Sequence, residues 1–189
     1  MRKIRIFEHM SLDGVIEHED GYTYGAWTVP YRSPAGLAAV LEAHGTNIDL
    51  LLGRRTYDLW AGYWPKAGDT PMARILNPAT KHVVTHRPDS LGWGPAKSLG
   101  GDILAGVREL KSQDGPDLIV WGSSTLTSVL LGQGLADEVV LFIYPVLLGR
   151  GKRLFSGEVD ARKLELAGTK AMATGVLMNT YRHIGSLPA

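Results

Sequence analysis

The sequence contains no cysteine. That absence removes disulfide bridges, thiol nucleophiles and thiolate zinc sites together. An excess of either charge sign is also missing. Lys and Arg number 20 against 19 Asp and Glu, a formal net charge of +1, which lacks the basic footprint of a nucleic-acid-binding protein. No uninterrupted apolar window of about 18 residues occurs, so no membrane span is expected. Met1-Arg2-Lys3-Ile4-Arg5-Ile6 leads straight into strand-like alternation where a secretory signal would carry an apolar core, and the expected compartment is the cytoplasm. Low-complexity tracts, internal repeats and linkers are absent, and 189 residues suit a single domain, 1–189. Without cysteine, histidines are the remaining soft metal ligands. His82 and His86 lie in a strand-like run, where residues four apart stand roughly 13 Å apart, so no metal site is expected.

Strand-like and helix-like segments alternate along the chain, the pattern of an α/β domain on a largely parallel sheet. Lys3 to His9 is the first strand. Ser33 then caps a helix with Pro34 at its first position, and Gly45 closes it. Ile48 to Leu52 is a short apolar run suited to a strand buried on both faces. Thr70-Pro71 opens a short helix ending near Asn77-Pro78, and Lys81 to His86 is the next strand. A loop leads to a helix over Asp102 to Ser112, followed by strand Asp117 to Trp121 and a helix to about Leu131. The last third carries three strands, Glu138 to Tyr144, Leu164 to Lys170 and Val176 to His183, with no helix between them. They predict an antiparallel edge on the sheet.

Two places set a glycine at the end of a buried strand, directly before a helix: Gly53-Arg54-Arg55-Thr56 and Gly122-Ser123-Ser124-Thr125. There the chain can approach a phosphate closely, and the helix N-terminus offers unpaired N–H groups and partial positive charge. Either turn alone serves tight packing equally well. Together, one with two arginines and the other with three hydroxyls, they point to a pyrophosphate site, because the arginine fork holds phosphate oxygens in paired bonds. Thr85, His86 and Arg87 end another strand and offer a grip for a further phosphate, or form a solvated strand end before Pro88. The G-x-G-x-x-G fingerprint is absent, which excludes a standard Rossmann domain.

Four segments then carry a resemblance: Met10-Ser11-Leu12-Asp13-Gly14-Val15-Ile16, Leu51-Leu52-Gly53-Arg54-Arg55-Thr56-Tyr57, Val120-Trp121-Gly122-Ser123-Ser124 and Pro145-Val146-Leu147-Leu148-Gly149-Arg150-Gly151. In order and spacing they resemble the dihydrofolate reductase superfamily, and most of all the C-terminal reductase domain of the bifunctional riboflavin-biosynthesis deaminase-reductase. The resemblance implies a mixed, mostly parallel eight-stranded sheet flanked by helices, with NADPH across the carboxyl ends of the central strands. It implies Ile16 at the nicotinamide, Arg54 and Thr56 at the pyrophosphate, and Thr85, His86 and Arg87 at the 2′-phosphate. Gly122 to Leu126, including Thr125, match the glycine turn over the cofactor. It also implies a homodimer, for which the exposed C-terminal strands offer a surface.

One departure bears on the substrate. Dihydrofolate reductases keep a carboxylate on the first helix to bind the pterin, and Pro34-Ala35-Gly36-Leu37-Ala38-Ala39-Val40 holds no acid. The riboflavin branch lacks it too, and its substrate is a pyrimidine bearing a ribose phosphate. The expected activity is NADPH-dependent hydride transfer to a small heterocycle, 5-amino-6-(5-phosphoribosylamino)uracil or a related pyrimidine or pterin. A non-catalytic NADP-binding module is the alternative, and a flavoprotein the third reading. Asp13 is the carboxylate nearest the expected nicotinamide, with either a role in orienting substrate or an ordinary Asp-Gly turn. Trp27, Tyr57 and Trp60 belong to an aromatic set, with Tyr22, Tyr24, Tyr63 and Trp64, expected in loops flanking the cleft, as a stacking surface for a flat ring or as plain core. Gly149 to Arg153 reads as a solvated turn or a phosphate contact.

Overall fold

A computed structural model describes residues 1–17, 23–100, 102–155 and 161–188. Its elements in chain order are β1 (Ile4–Ser11), β2 (Val15–Glu17), α1 (Pro34–His44), β3 (Ile48–Gly53), α2 (Arg54–Tyr63), α3 (Pro71–Leu76), β4 (Lys81–Val84), β5 (Ala96–Leu99), α4 (Ile103–Ser112), β6 (Asp117–Trp121), α5 (Ser124–Gly132), β7 (Glu138–Tyr144), β8 (Lys152–Arg153), β9 (Arg162–Ala171) and β10 (Leu177–Ser186). Eight strands form one sheet in the order β5-β4-β3-β6-β1-β7-β10-β9, and β2 and β8 form a separate pair. From β5 to β7 every neighbouring pair is parallel, while β10 runs antiparallel to both β7 and β9. The expected mixed sheet with an antiparallel C-terminal edge is therefore present.

The central strands are buried on both sides, as their unbroken apolar runs require. In β3, Leu50 and Leu52 join one core cluster with Phe7, Tyr57, Leu76 and Trp121, while Leu51 joins the opposite one with Ile6, Val107, Leu126 and Leu130. Helices α2 and α3 thus cover one face, and α4 and α5 the other. Ser33 caps α1 by accepting the Gly36 N–H at 3.0 Å, and Thr70 caps α3 through Ala73 at 3.3 Å. Asp102 caps α4 by accepting from Leu104 and Ala105.

Three features depart from the pattern read in the sequence. Residues Tyr57 to Tyr63 lie in α2 and not in a loop, because the polar and apolar residues after Gly53 alternate at helical spacing and bury Tyr57. Strand β4 stops at Val84, so Thr85 and His86 lie beyond it. Strand β5 emerges from a segment expected to be loop; it pairs on one side only, with β4. No helix among the described residues is long and apolar enough to cross a membrane.

Candidate active site

Strand β6 ends at Trp121, paired with Phe7, whereas β1 continues to Ser11. Glu8 and His9 therefore extend past the carboxyl end of β6. Beside them β3 ends at Gly53, and the chain leaves β3 and β6 toward opposite faces of the sheet, into α2 and α5. Such a divergence opens a crevice at the carboxyl edge of an α/β sheet, where ligands bind.

The two glycine turns meet here and are bonded to each other. The Gly53 N–H donates to Ser123 Oγ at 2.9 Å, and the Ser123 N–H donates to Thr56 Oγ1 at 3.1 Å. Gly122 and Ser123 both adopt the left-handed region, at φ 54° and 51°. A side chain would not fit at either glycine without displacement: a Cβ on Gly53 would stand 3.3 Å from Ser123 Oγ, and one on Gly122 3.3 Å from Thr56 Oγ1. Unlike α1, α3 and α4, neither α2 nor α5 carries a side-chain cap. Their first-turn amides have no intrahelical partner, and the helix dipole adds positive potential at the same point.

A cleft of about 500 Å³ opens over these turns. It is lined by Ile16, Gly53, Arg54, Arg55, Thr56, Trp60, Gly122, Ser123, Ser124, Thr125 and Leu126, all expected at a ligand site, and also by Glu8, His9, Glu17, Trp121 and Lys152. Lys152, from the segment read as a turn or a phosphate contact, donates to Thr125 Oγ1 at 3.3 Å beside the N-terminus of α5. Arg55 pairs with Glu17 at 2.6 Å across the cleft. The Arg54 guanidinium is committed elsewhere: Nε bonds Asp58 at 2.8 Å and Nη1 the Arg87 carbonyl at 2.9 Å. Thus Arg54 ties α2 to the loop after β4.

Six expected site residues do not line this cleft. Thr85 is buried, and its hydroxyl accepts the Arg87 N–H at 3.0 Å. His86 is exposed, and Arg87 lies 3.5 Å from Asp58. Trp27 packs edge-on against Tyr144 with ring centroids 5.0 Å apart. Tyr57 is a core residue and not a substrate contact. It is 1% exposed, and its hydroxyl accepts the Trp93 N–H at 2.7 Å. Of the other aromatics, Tyr22 lies outside the described residues.

Asp13 is likewise a structural clamp. Its carboxylate accepts from Ser11 Oγ at 2.6 Å and from the amides of Leu148 and Gly149 at 3.1 and 2.8 Å, with Arg153 at 3.6 Å. The Ser11 hydroxyl and these amides hold its pKa down to about 2. A group so acidic supplies no proton at neutral pH.

Two titratable residues of the cleft carry no sequence motif. His9 lies between Trp121 and Phe142, at ring distances of 5.4 and 5.1 Å, and its Nδ1 is 2.9 Å from the Tyr144 hydroxyl. Burial, with help from the Arg32 charge, lowers its pKa to about 4, so the ring is neutral at pH 7. Glu8 is 5% exposed. Burial pushes its carboxyl up to about 8; the His9 N–H, donated to Oε1 at 3.2 Å, opposes the rise and the Glu17 charge adds to it. The sequence signal was a Glu in phase with Ile4, Ile6 and Met10, on the apolar face of a strand.

The family model of the RibD C-terminal domain matches residues 2–178. The chain belongs to this family. It is 29% identical over 188 residues to the uncharacterized protein YyaP of Bacillus subtilis (strain 168), covering 97% of this chain and 96% of YyaP. It shares the fold of two solved structures at low identity. One is the diaminohydroxyphosphoribosylaminopyrimidine deaminase/5-amino-6-(5-phosphoribosylamino)uracil reductase of Thermotoga maritima, with a TM-score of 0.69 and 15% identity, covering 97% of this chain and 57% of that one. The other is the dihydrofolate reductase of Enterococcus faecalis complexed with NADP(H) and RAB-propyl, with a TM-score of 0.61 and 16% identity, covering 96% of each chain. Both neighbours show the fold that this chain shares with them.

Proposed function

We propose that this protein is an NADPH-dependent reductase that passes a hydride to a small heterocycle of the pyrimidine or pterin class. One observation carries the cofactor half: the uncapped N-termini of α2 and α5 converge on a single pair of interlocked turns, flanked by Arg55 and Lys152. This donor set fits a pyrophosphate, which needs several amide donors at close range and cationic partners. The 2′-phosphate is assigned to the loop beyond β4, where Thr85 braces the backbone of Arg87 and the exposed His86 and Arg87 stand beside α2. When bound, NADPH supplies the hydride.

The protein's own residues do the rest. Ile16 packs against the nicotinamide side of the cleft. Trp60 and Trp121, 6.4 Å apart, give a flat ring an apolar wall. His9, held neutral against Tyr144, presents a polar edge to the heterocycle. The first turn of α1 holds no acid, so the carboxylate that grips a pterin in dihydrofolate reductases is missing. That favours a pyrimidine such as 5-amino-6-(5-phosphoribosylamino)uracil over dihydrofolate.

Fluorescence titration of the purified protein with NADPH, followed by NADPH consumption with 5-amino-6-(5-phosphoribosylamino)uracil and with a dihydropterin, tests the reading. Binding with turnover is expected. Binding without oxidation by any acceptor turns the assignment to a non-catalytic NADP module, failure to bind NADPH sinks the cofactor assignment, and yellow protein on purification indicates a flavin instead.

A further inference from the structure

Glu8 has an arrangement that nothing in the cofactor site requires. It sits at the centre of the sheet, between Leu141 of β7 and the end of β6. Its side chain leans into the apolar cluster that holds Ile6, Met10, Leu126 and Leu141, yet it borders the cleft. Among the described residues, Oε1 accepts one bond, from the His9 amide, and Oε2 is buried with no hydrogen-bond partner. No cation pairs with Glu8 among the described residues, although Arg55 and Lys152 line the same cleft.

A buried carboxylate without a cation is costly, whereas a neutral carboxyl with one unspent O–H is a donor awaiting an acceptor. Of the charged groups that line the cleft with it, the acid works in that direction and the cations are bonded to other partners. Glu17 on β2 adds negative charge, and Arg55, the cation on α2, is already paired with Glu17. His9 on β1 is neutral at pH 7. The cleft wall from α5 contributes Ser124, Thr125 and Leu126, and β8 contributes Lys152, which bonds Thr125.

We infer that Glu8 is the acid of this cleft, holding a neutral carboxyl whose Oε2–H bonds the heterocycle and gives up its proton during reduction. The substrate half of this inference rests on the reductase reading. The hydride forms a new C–H bond at the carbon of a C=N or C=O group. The π pair moves onto the nitrogen or oxygen, which takes the proton as the Oε2–H bond breaks. The acceptor gains two electrons and two hydrogens, the nicotinamide donor loses two electrons, and the Glu8 carboxylate regains a proton from water through the cleft. A protonated acid positioned in this way contributes about 10²- to 10⁴-fold to rate.

The test compares wild type with Glu8→Gln, in protein labelled with ¹³C at the Glu side-chain carboxyl. NMR is expected to show one carboxyl titrating near 8 in wild type and absent from the variant. With NADPH and 5-amino-6-(5-phosphoribosylamino)uracil, wild-type kcat should fall tenfold per pH unit above about pH 8. The variant should lose about 100-fold in kcat, keep its KM for NADPH and lack that alkaline limb. A Glu8 that titrates in the ordinary carboxylate range, or a variant whose kcat stays within threefold, overturns the inference. If NADPH does not bind but the Glu8 carboxyl resonance still moves when the uracil compound is added, the reductase reading fails and Glu8 stands as the neutral donor to the ligand. If that resonance does not respond to the compound, the acid fails.

Discussion

Arg55 at the first turn of α2 and Glu17 at the end of β2 form a 2.6 Å ion pair whose two members line the same cleft. Both side chains are substantially solvated, so the pair is weak and Arg55 is easily recruited by a stronger anion. Arg55→Ala should weaken NADPH binding about 10- to 100-fold, the loss of one charge-assisted phosphate bond. Glu17→Gln removes the competing carboxylate and should tighten binding by about two- to fivefold. Fluorescence titration at low and high salt reads both. Equal affinity in all three proteins would remove Arg55 from the pyrophosphate site.

The interlocked glycine turns predict a contrast between two Gly→Ala changes. At Gly122 the φ of 54° and the contact with Thr56 oppose a side chain, and the change should cost about 1 to 3 kcal/mol and lower NADPH affinity at least tenfold. Gly106 lies inside α4, where an added Cβ meets only Leu99 Cδ2 at 3.9 Å. Alanine there should stabilise by about 0.5 to 1 kcal/mol and leave binding unchanged. Thermal melts with and without NADPH check both.

Asp13 predicts an acid-labile loop. Its folded pKa of about 2 lies below the usual carboxylate value, so its contribution is complete above about pH 4 and disappears as pH falls toward 2. Asp13→Ala should cost about 1 to 2 kcal/mol at pH 7, since three donors lose their acceptor at a partly solvated site. That penalty should vanish near pH 2. The alkaline limb of kcat should be untouched, which separates Asp13 from an acid catalyst.

Lys81 predicts a rise of the same sign at high pH. It is fully buried, 4.2 Å above the Trp93 ring, and burial lowers its pKa to about 8. The unfolded chain then binds more protons than the native one between about pH 8 and 10.5, so this group makes stability rise with pH across that window. In Lys81→Met, urea melts should show that rise abolished. A rise that persists in the variant assigns it to another group.

Much of the fold and half of the candidate site were legible because they rest on local chemistry. Ser33-Pro34 and Thr70-Pro71 announce helix starts, Leu50 to Leu52 announce a strand buried on both faces, and glycine followed by polar residues marks the turns at Gly53 and Gly122. Other features depend on neighbours distant in sequence. Strand β5 exists because β4 has a free edge, and Tyr57 is core because Trp93 offers it a backbone partner. Arg54 lines the cleft where its strand-to-helix position predicts, but its bonds to Asp58 and the Arg87 carbonyl come from partners that no local pattern reveals. The protonation of Glu8 and His9 is set by their surroundings, and no spacing rule encodes the length by which β1 outruns β6.

The two hydrogen bonds through Ser123 join helices on opposite faces of the sheet at its carboxyl edge. Separating the layers at this point means breaking both, so the floor of the cleft opens less readily than its rim. The Gly53 and Ser123 amides should be among the slowest to exchange with solvent deuterium. Ligand traffic is then expected at the rim, where Glu17 and Arg55 meet, over a floor tied shut by these two bonds.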